Sequence, residues 1–123
     1  QEPEKIAGLI DFGEMQMATQ INDLAISMAY SLLDEPDIGM ASSNMIEGYD
    51  REFKITDDER EIIYYLVAMR LVTNIIMTSH SAKLFPDNEY ILISQKSARA
   101  LLKKLENEKY ILAESEQPFA SVA

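Results

Sequence analysis

Ala7-Gly8-Leu9-Ile10-Asp11-Phe12-Gly13-Glu14-Met15 is the stretch on which the reading of this chain turns. Ile6, Leu9, Ile10 and Phe12 are apolar, and Gly8 permits close backbone approach, so residues 5–12 are expected to form one β-strand. The strand runs out into Asp-Phe-Gly, which sets a carboxylate at its end, followed by a permissive glycine. A single strand cannot make a sheet. Its partner is therefore expected outside this chain, before Gln1.

Downstream of the strand the pattern becomes helical. Residues 13–21 read as a loop. Asn22 or Asp23 is expected to cap a first helix, on which Leu24, Ala25, Met28, Ala29, Leu32 and Leu33 recur along one face. Asp34-Glu35-Pro36-Asp37 ends that helix and starts a second, carrying Ile38, Ala41, Met45, Ile46 and Tyr49. Thr56-Asp57-Asp58-Glu59 is a capping box, in which hydroxyl and carboxylate each satisfy an open backbone N–H. The helix behind it is expected to run to about Lys83. Ile62, Ile63, Leu66, Val67, Met69, Leu71, Val72, Ile75, Ile76 and Met77 lie on nearly all its sides, which predicts a place at the centre of a bundle. Pro86-Asp87-Asn88 breaks the chain, Tyr90 to Ile93 make a short apolar turn, and Ser94 is expected to cap a last helix. That helix buries Ala98, Leu101, Leu102 and Leu105. The expected division is a folded part, residues 1–106, and a polar tail, residues 107–123, partly disordered or held by a partner.

The 123 residues, 47% of them hydrophobic, suit one domain with a core. With 21 acidic and 11 basic residues the formal charge is −10, which argues against nucleic acid or an anionic membrane as partner. It is compatible with a cationic small molecule. The absence of cysteine excludes a disulfide framework and thiolate chemistry. No leader pattern opens the chain, and a reducing cytoplasm is the expected location. The apolar run of the long helix carries Arg70 and Asn74, so a membrane span is rejected.

Asp11 is the sharpest chemical candidate. Phosphoryl transfer develops charge on the γ-phosphate oxygens, and a divalent cation answers it. A carboxylate at a strand end can reach that cation, because magnesium accepts one or two carboxylates among waters and phosphates. Asp-Phe-Gly also suits a plain strand-end turn, and those three residues alone leave both readings open.

The order of further segments adds to this. Gly-Leu-Ile-Asp-Phe-Gly-Glu-Met, Asn-Asp-Leu-Ala-Ile-Ser-Met-Ala-Tyr, Glu-Gly-Tyr, Ile-Thr-Asp-Asp-Glu, Ala-Met-Arg-Leu and Pro-Asp-Asn-Glu-Tyr-Ile-Leu-Ile-Ser follow one another. Between residues 7 and 105 this order resembles the C-terminal part of the aminoglycoside phosphotransferase/choline kinase-like family. Within it, the resemblance is to hydroxylysine-kinase-like phosphotransferases, including those fused to class III aminotransferases. The resemblance implies a mainly α fold: the helical bundle of a kinase-like C-lobe with one N-terminal β-strand. It implies transfer from ATP or GTP, with Mg2+, to a hydroxyl of a small amine-bearing substrate. Asp11 then matches the metal aspartate. Asp23 matches an aspartate that braces the catalytic loop from a helix start, a role that a plain helix cap also suits. Glu14, Tyr49, Arg70 and Asn74 become candidates for the acceptor pocket. Arg70, buried by pattern in the long helix, needs a carboxylate partner, from the protein or from a substrate.

The chain departs from the family where the catalysis is done. A His-Gly-Asp-type loop with its base and Asn ligand is missing, and so is a glycine-rich phosphate loop. The sole histidine, His80, lies late in the long helix and reads as a surface residue. The chain alone is therefore expected to be inactive, to lack an N-terminal lobe that belongs to the same polypeptide, and to self-associate through the face left open. The alternative is a non-catalytic α-helical protein-interaction module.

Overall fold

The reciprocal pair read at Thr56 and Glu59 is where the longest helix begins. Glu59 N donates to Thr56 Oγ1 at 3.3 Å, and Thr56 N donates to Glu59 Oε2 at 2.9 Å. A computed structural model describes residues 5–114, apart from the side chains of Glu14 and of residues 108–114. Four helices dominate it: α1 (Ile21–Ser31), α2 (Ile38–Glu52), α3 (Asp57–Leu84) and α4 (Gln95–Glu114). Short 3-10 turns occupy Phe12–Glu14 and Glu89–Leu92. α3 lies between α1 and α4, and α2 packs on α1.

The connections follow from local chemistry. After α1 the chain turns at Asp34, whose φ of 60° is the left-handed conformation that stops a helix. Asp37 then caps α2 by accepting from Met40 N at 2.9 Å. Between α2 and α3, Asp50 accepts from Ile55 N at 2.8 Å and pairs with Lys54 and Arg60 at 3.3 and 3.2 Å. Several long-range bonds tie α4 back, those from Gln95 Nε2 to the Ile75 carbonyl, Thr78 Oγ1 and Ser79 Oγ among them. Tyr64 donates to the Leu105 carbonyl at 2.8 Å, Ser97 to Asp34 Oδ2 at 2.8 Å, and Lys104 to the Glu35 carbonyl at 2.8 Å.

The core joins Ile21, Leu24, Ala25, Met28, Ala29 and Leu32 to Ile63, Val67 and Leu71 of α3 and to Ala98, Leu101 and Leu105 of α4. These are the faces that helical spacing marks, since residues three and four apart stack on one side.

Three expectations are corrected. First, residues 5–12 form no strand, and all of them are exposed. Strand backbone needs a neighbouring strand to satisfy its N–H and C=O groups, and the described residues contain none. Second, α1 is not capped by Asn22 or Asp23. It starts at Ile21, after Gln20, with no side-chain cap. Third, α3 is not enclosed. Its buried residues are Ile63, Val67 and Leu71, whereas Ile62, Tyr65, Met69, Val72 and Ile76 are exposed. A helix of 28 residues is about 42 Å long at 1.5 Å per residue, and two packed neighbours cover only one side of it. α4 itself spans Gln95–Glu114. The expected boundary between residues 106 and 107 thus falls inside α4, and residues 115–123 lie outside the described part.

The Asp50 bridge has a pH signature. Its carboxyl is held below the ordinary carboxylate value chiefly by the Ile55 N–H; burial, second in size, opposes this, and Lys54 and Arg60 add smaller lowering effects. A carboxylate whose pKa is lower folded than unfolded stabilises fully above the unfolded value. That contribution is lost as pH falls through the folded value. Asp50→Asn, which keeps an acceptor but not the charge, should melt below the wild type at neutral pH. The two melting curves should converge in acid. A constant gap in Tm down to pH 2 would contradict the assignment.

Candidate functional site

Asp11 stands just before the 3-10 turn Phe12–Glu14 with φ 71° and ψ 55°. A non-glycine residue there carries a steric cost, which Asp and Asn bear better than others. Its carboxylate is exposed, caps no helix, and makes no hydrogen bond among the described residues. Backbone strain combined with an unused charged group is a pattern of functional sites. As a magnesium ligand Asp11 fits by chemistry: a hard oxygen donor, exposed and not committed elsewhere. It supplies one ligand only, since no group of three or more His, Cys, Asp or Glu side chains gathers among the described residues.

Asp23 lies in the first turn of α1, exposed, with a carboxylate that caps nothing. Only its carbonyl is used, accepting from Ser27 Oγ at 2.8 Å. The backbone of Glu14 lies in the 3-10 turn, but its side chain lies outside the described residues, so its pocket role has no geometry. His80 is exposed at the far part of α3. Tyr49 is committed elsewhere: its hydroxyl donates to the Gln20 carbonyl at 3.1 Å, and its ring lies 5.5 Å from that of Phe53.

Arg70 and Asn74 do come together, and they meet a residue the sequence reading passed over. Arg70 Nη2 donates to the Tyr30 hydroxyl at 2.9 Å, and Asn74 Nδ2 reaches the same oxygen at 3.4 Å. The guanidinium carbon sits 5.4 Å from the centre of the Tyr30 ring, within cation–π range. Arg70 Nε and Asn74 Oδ1 are buried and have no hydrogen-bond partner among the described residues. The carboxylate expected for Arg70 is not among the described residues. Tyr30 could have been found, because it is seven residues beyond Asp23 and so shares its helix face.

Comparison with known proteins places this bundle. No family model and no solved structure matches the chain. Hydroxylysine kinase of Xenopus laevis is 31% identical over 98 residues, covering 79% of this chain and 26% of that protein. Hydroxylysine kinases of Mus musculus and Danio rerio are each 26% identical over 102 residues, covering 82% of the chain and 27% and 29% of those proteins. The chain thus spans little more than a quarter of the length of the curated relatives it matches. It is homologous to one part of the hydroxylysine kinases, and its helices fit the helical C-lobe of a kinase-like protein.

Proposed function

We propose that this chain is the C-lobe portion of a small-molecule phosphotransferase. That enzyme would pass the γ-phosphoryl group of ATP or GTP to a hydroxyl of an amine-bearing acceptor, hydroxylysine or an aminoglycoside-like molecule. The observation that carries the reading is Asp11, an exposed carboxylate on left-handed backbone at the end of Gly-Leu-Ile-Asp-Phe-Gly, in a chain homologous to hydroxylysine kinases.

In this reading Asp11 is the residue that would hold Mg2+. When bound, the metal neutralises charge developing on the transferred group. The left-handed backbone fixes where the carboxylate stands, so little reorganisation is needed during transfer. Asp23 keeps a carboxylate free on α1 to brace a loop contributed by the rest of the polypeptide. The base and the remaining metal ligand would come from the rest of that polypeptide. A reducing, cytoplasmic setting suits a chain without cysteine.

Turnover tests this directly. The complete polypeptide that carries this segment should phosphorylate hydroxylysine with ATP and Mg2+. The 123 residues alone should not, because positioning and general-base assistance supply most of the acceleration. Activity of the segment alone would refute the incomplete-site reading. Inactivity of the complete polypeptide toward hydroxylysine, other amino alcohols and aminoglycosides would refute the kinase reading.

One observation favours the second reading, a non-catalytic interaction module. Ile62, Tyr65, Met69, Val72 and Ile76 follow one another at alternating spacings of three and four along the open side of α3. That is the spacing of a helix-packing seam. The isolated segment should therefore self-associate. Met69→Glu, at the middle of the seam, should shift it toward monomer. Light scattering that finds the unmodified segment monomeric at high concentration would count against this.

A further inference from the structure

Other cations of the bundle meet carboxylates. Arg51 pairs with Glu47, and Arg60 with Asp50. Arg70 differs. It is half-buried where α3 faces the end of α1, in a chain with 21 acidic residues, and no carboxylate among the described residues reaches it. Among the described residues its only polar partner is the Tyr30 hydroxyl. Burying a guanidinium N–H without an acceptor costs free energy, and so does burying an amide oxygen without a donor. Both faults occur together here, at Arg70 Nε and Asn74 Oδ1, two side chains one helical turn apart that share the Tyr30 hydroxyl.

The two vacancies have opposite chemistry. Arg70 Nε–H seeks an acceptor, for which a planar carboxylate is the best geometric match. Asn74 Oδ1 seeks a donor. A ligand that brings a carboxylate and an N–H donor on adjacent atoms satisfies both, and the α-carbon of a free amino acid carries that pair. Tyr30 is the movable part. The residue is 42% exposed, and turning its ring outward exchanges the two bonds to its hydroxyl and the ring contact for access to the guanidinium. The cluster also lies on the Asp23 face of α1, about 10 Å along the helix from Asp23 at 1.5 Å per residue.

We propose that Arg70, Asn74 and Tyr30 form the receptor for the α-amino-acid end of a small substrate, its carboxylate on Arg70 and its ammonium on Asn74 Oδ1. This deepens the phosphotransferase reading, on which the identity of the substrate rests. It places the acceptor hydroxyl at the opposite end of the ligand, away from this anchor. The function of the site is recognition of amino acids over simple amines.

The probe is L-lysine, which has no acceptor hydroxyl and therefore reports binding without transfer. Calorimetric titration of the complete protein should show lysine binding about tenfold or more tighter than lysinamide, which lacks the carboxylate. Lysine should also bind tighter than Nα-acetyl-lysine, which lacks the ammonium. Lysinamide carries more positive charge than lysine, so attraction to an acidic protein alone would give the reverse order. Arg70→Met should abolish the preference for lysine over lysinamide. Asn74→Ala should abolish the preference over Nα-acetyl-lysine, and Arg70→Lys should retain part of the first. Thermal melting in the absence of ligand should stay close to wild type in all three.

Equal affinities, no lysine binding by the folded protein, or a preference that survives Arg70→Met would overturn the proposal. A large fall in Tm for Arg70→Met with the preference unchanged would overturn it too, since the guanidinium would then be paired within the polypeptide. Failure of the kinase reading shows separately, as absent turnover of hydroxylysine with the lysine preference intact.

Discussion

Asp11→Asn in the complete polypeptide should lower phosphotransfer by at least about a hundredfold, the scale of losing one preorganised electrostatic contact in a phosphoryl or acyl transition state. Stability should barely change. The Asp11 carboxylate makes no hydrogen bond among the described residues and is exposed, so folding loses nothing with its charge. Such surface changes usually stay within about 0.5 kcal/mol. Asparagine is the right replacement because it tolerates the φ of 71° about as well as aspartate. Alanine would add backbone strain and confuse the result. The measurement is kcat with saturating nucleotide at several magnesium concentrations, beside a thermal melt. Retained turnover in Asp11→Asn would remove Asp11 from the metal site. A large drop in Tm would show that its charge serves the fold.

The second large effect separates two adjacent isoleucines. Ile63 is 1% exposed and faces the core shared by α1 and α4, whereas Ile62 is 45% exposed on the opposite side of α3. Ile63→Ala should cost about 2–5 kcal/mol, from lost transfer energy and an unfilled cavity. A small domain has about 5–15 kcal/mol in all, so this change alone brings it near unfolding. Ile62→Ala in the isolated segment should cost about 0.5 kcal/mol or less. Urea denaturation of both variants at low protein concentration, where self-association is weakest, reads the contrast as a shift in midpoint. Equal shifts would mean that α3 is covered on both sides in solution.

That contrast also marks how far sequence reasoning reached. The faces of α1 and α4 were legible because their apolar residues recur at helical spacing against a polar background. The Thr56–Glu59 box and the turn at Asp34 to Asp37 were legible because each depends on side chains within a few residues of one another. α3 was legible as a helix but not in its surroundings. Apolar residues on all sides say that a helix has partners, and they do not say which of them this chain supplies. The same limit applied to residues 5–12, where the pattern of a strand was present without another strand to complete it.

The candidate site divides along the same line. Asp11 could be picked out from Asp-Phe-Gly, since its presentation depends on local backbone, although its left-handed conformation was not foreseen. Arg70 and Asn74 could be suspected from their position in an apolar helix. Their meeting with Tyr30 across 40 and 44 residues of chain could not.

The amino-acid order by itself determined where α2 and α3 start, which faces of α1 and α4 are apolar, and which carboxylate ends the opening apolar run, because these depend on contacts within one or two turns of backbone. Only the tertiary structure decided that α3 keeps one side open, that Tyr49 is tied to the Gln20 carbonyl, and that a guanidinium and an amide are buried together with groups left unmatched. Those outcomes rest on how α1, α3 and α4 pack against one another, and packing between distant segments has no period along the chain.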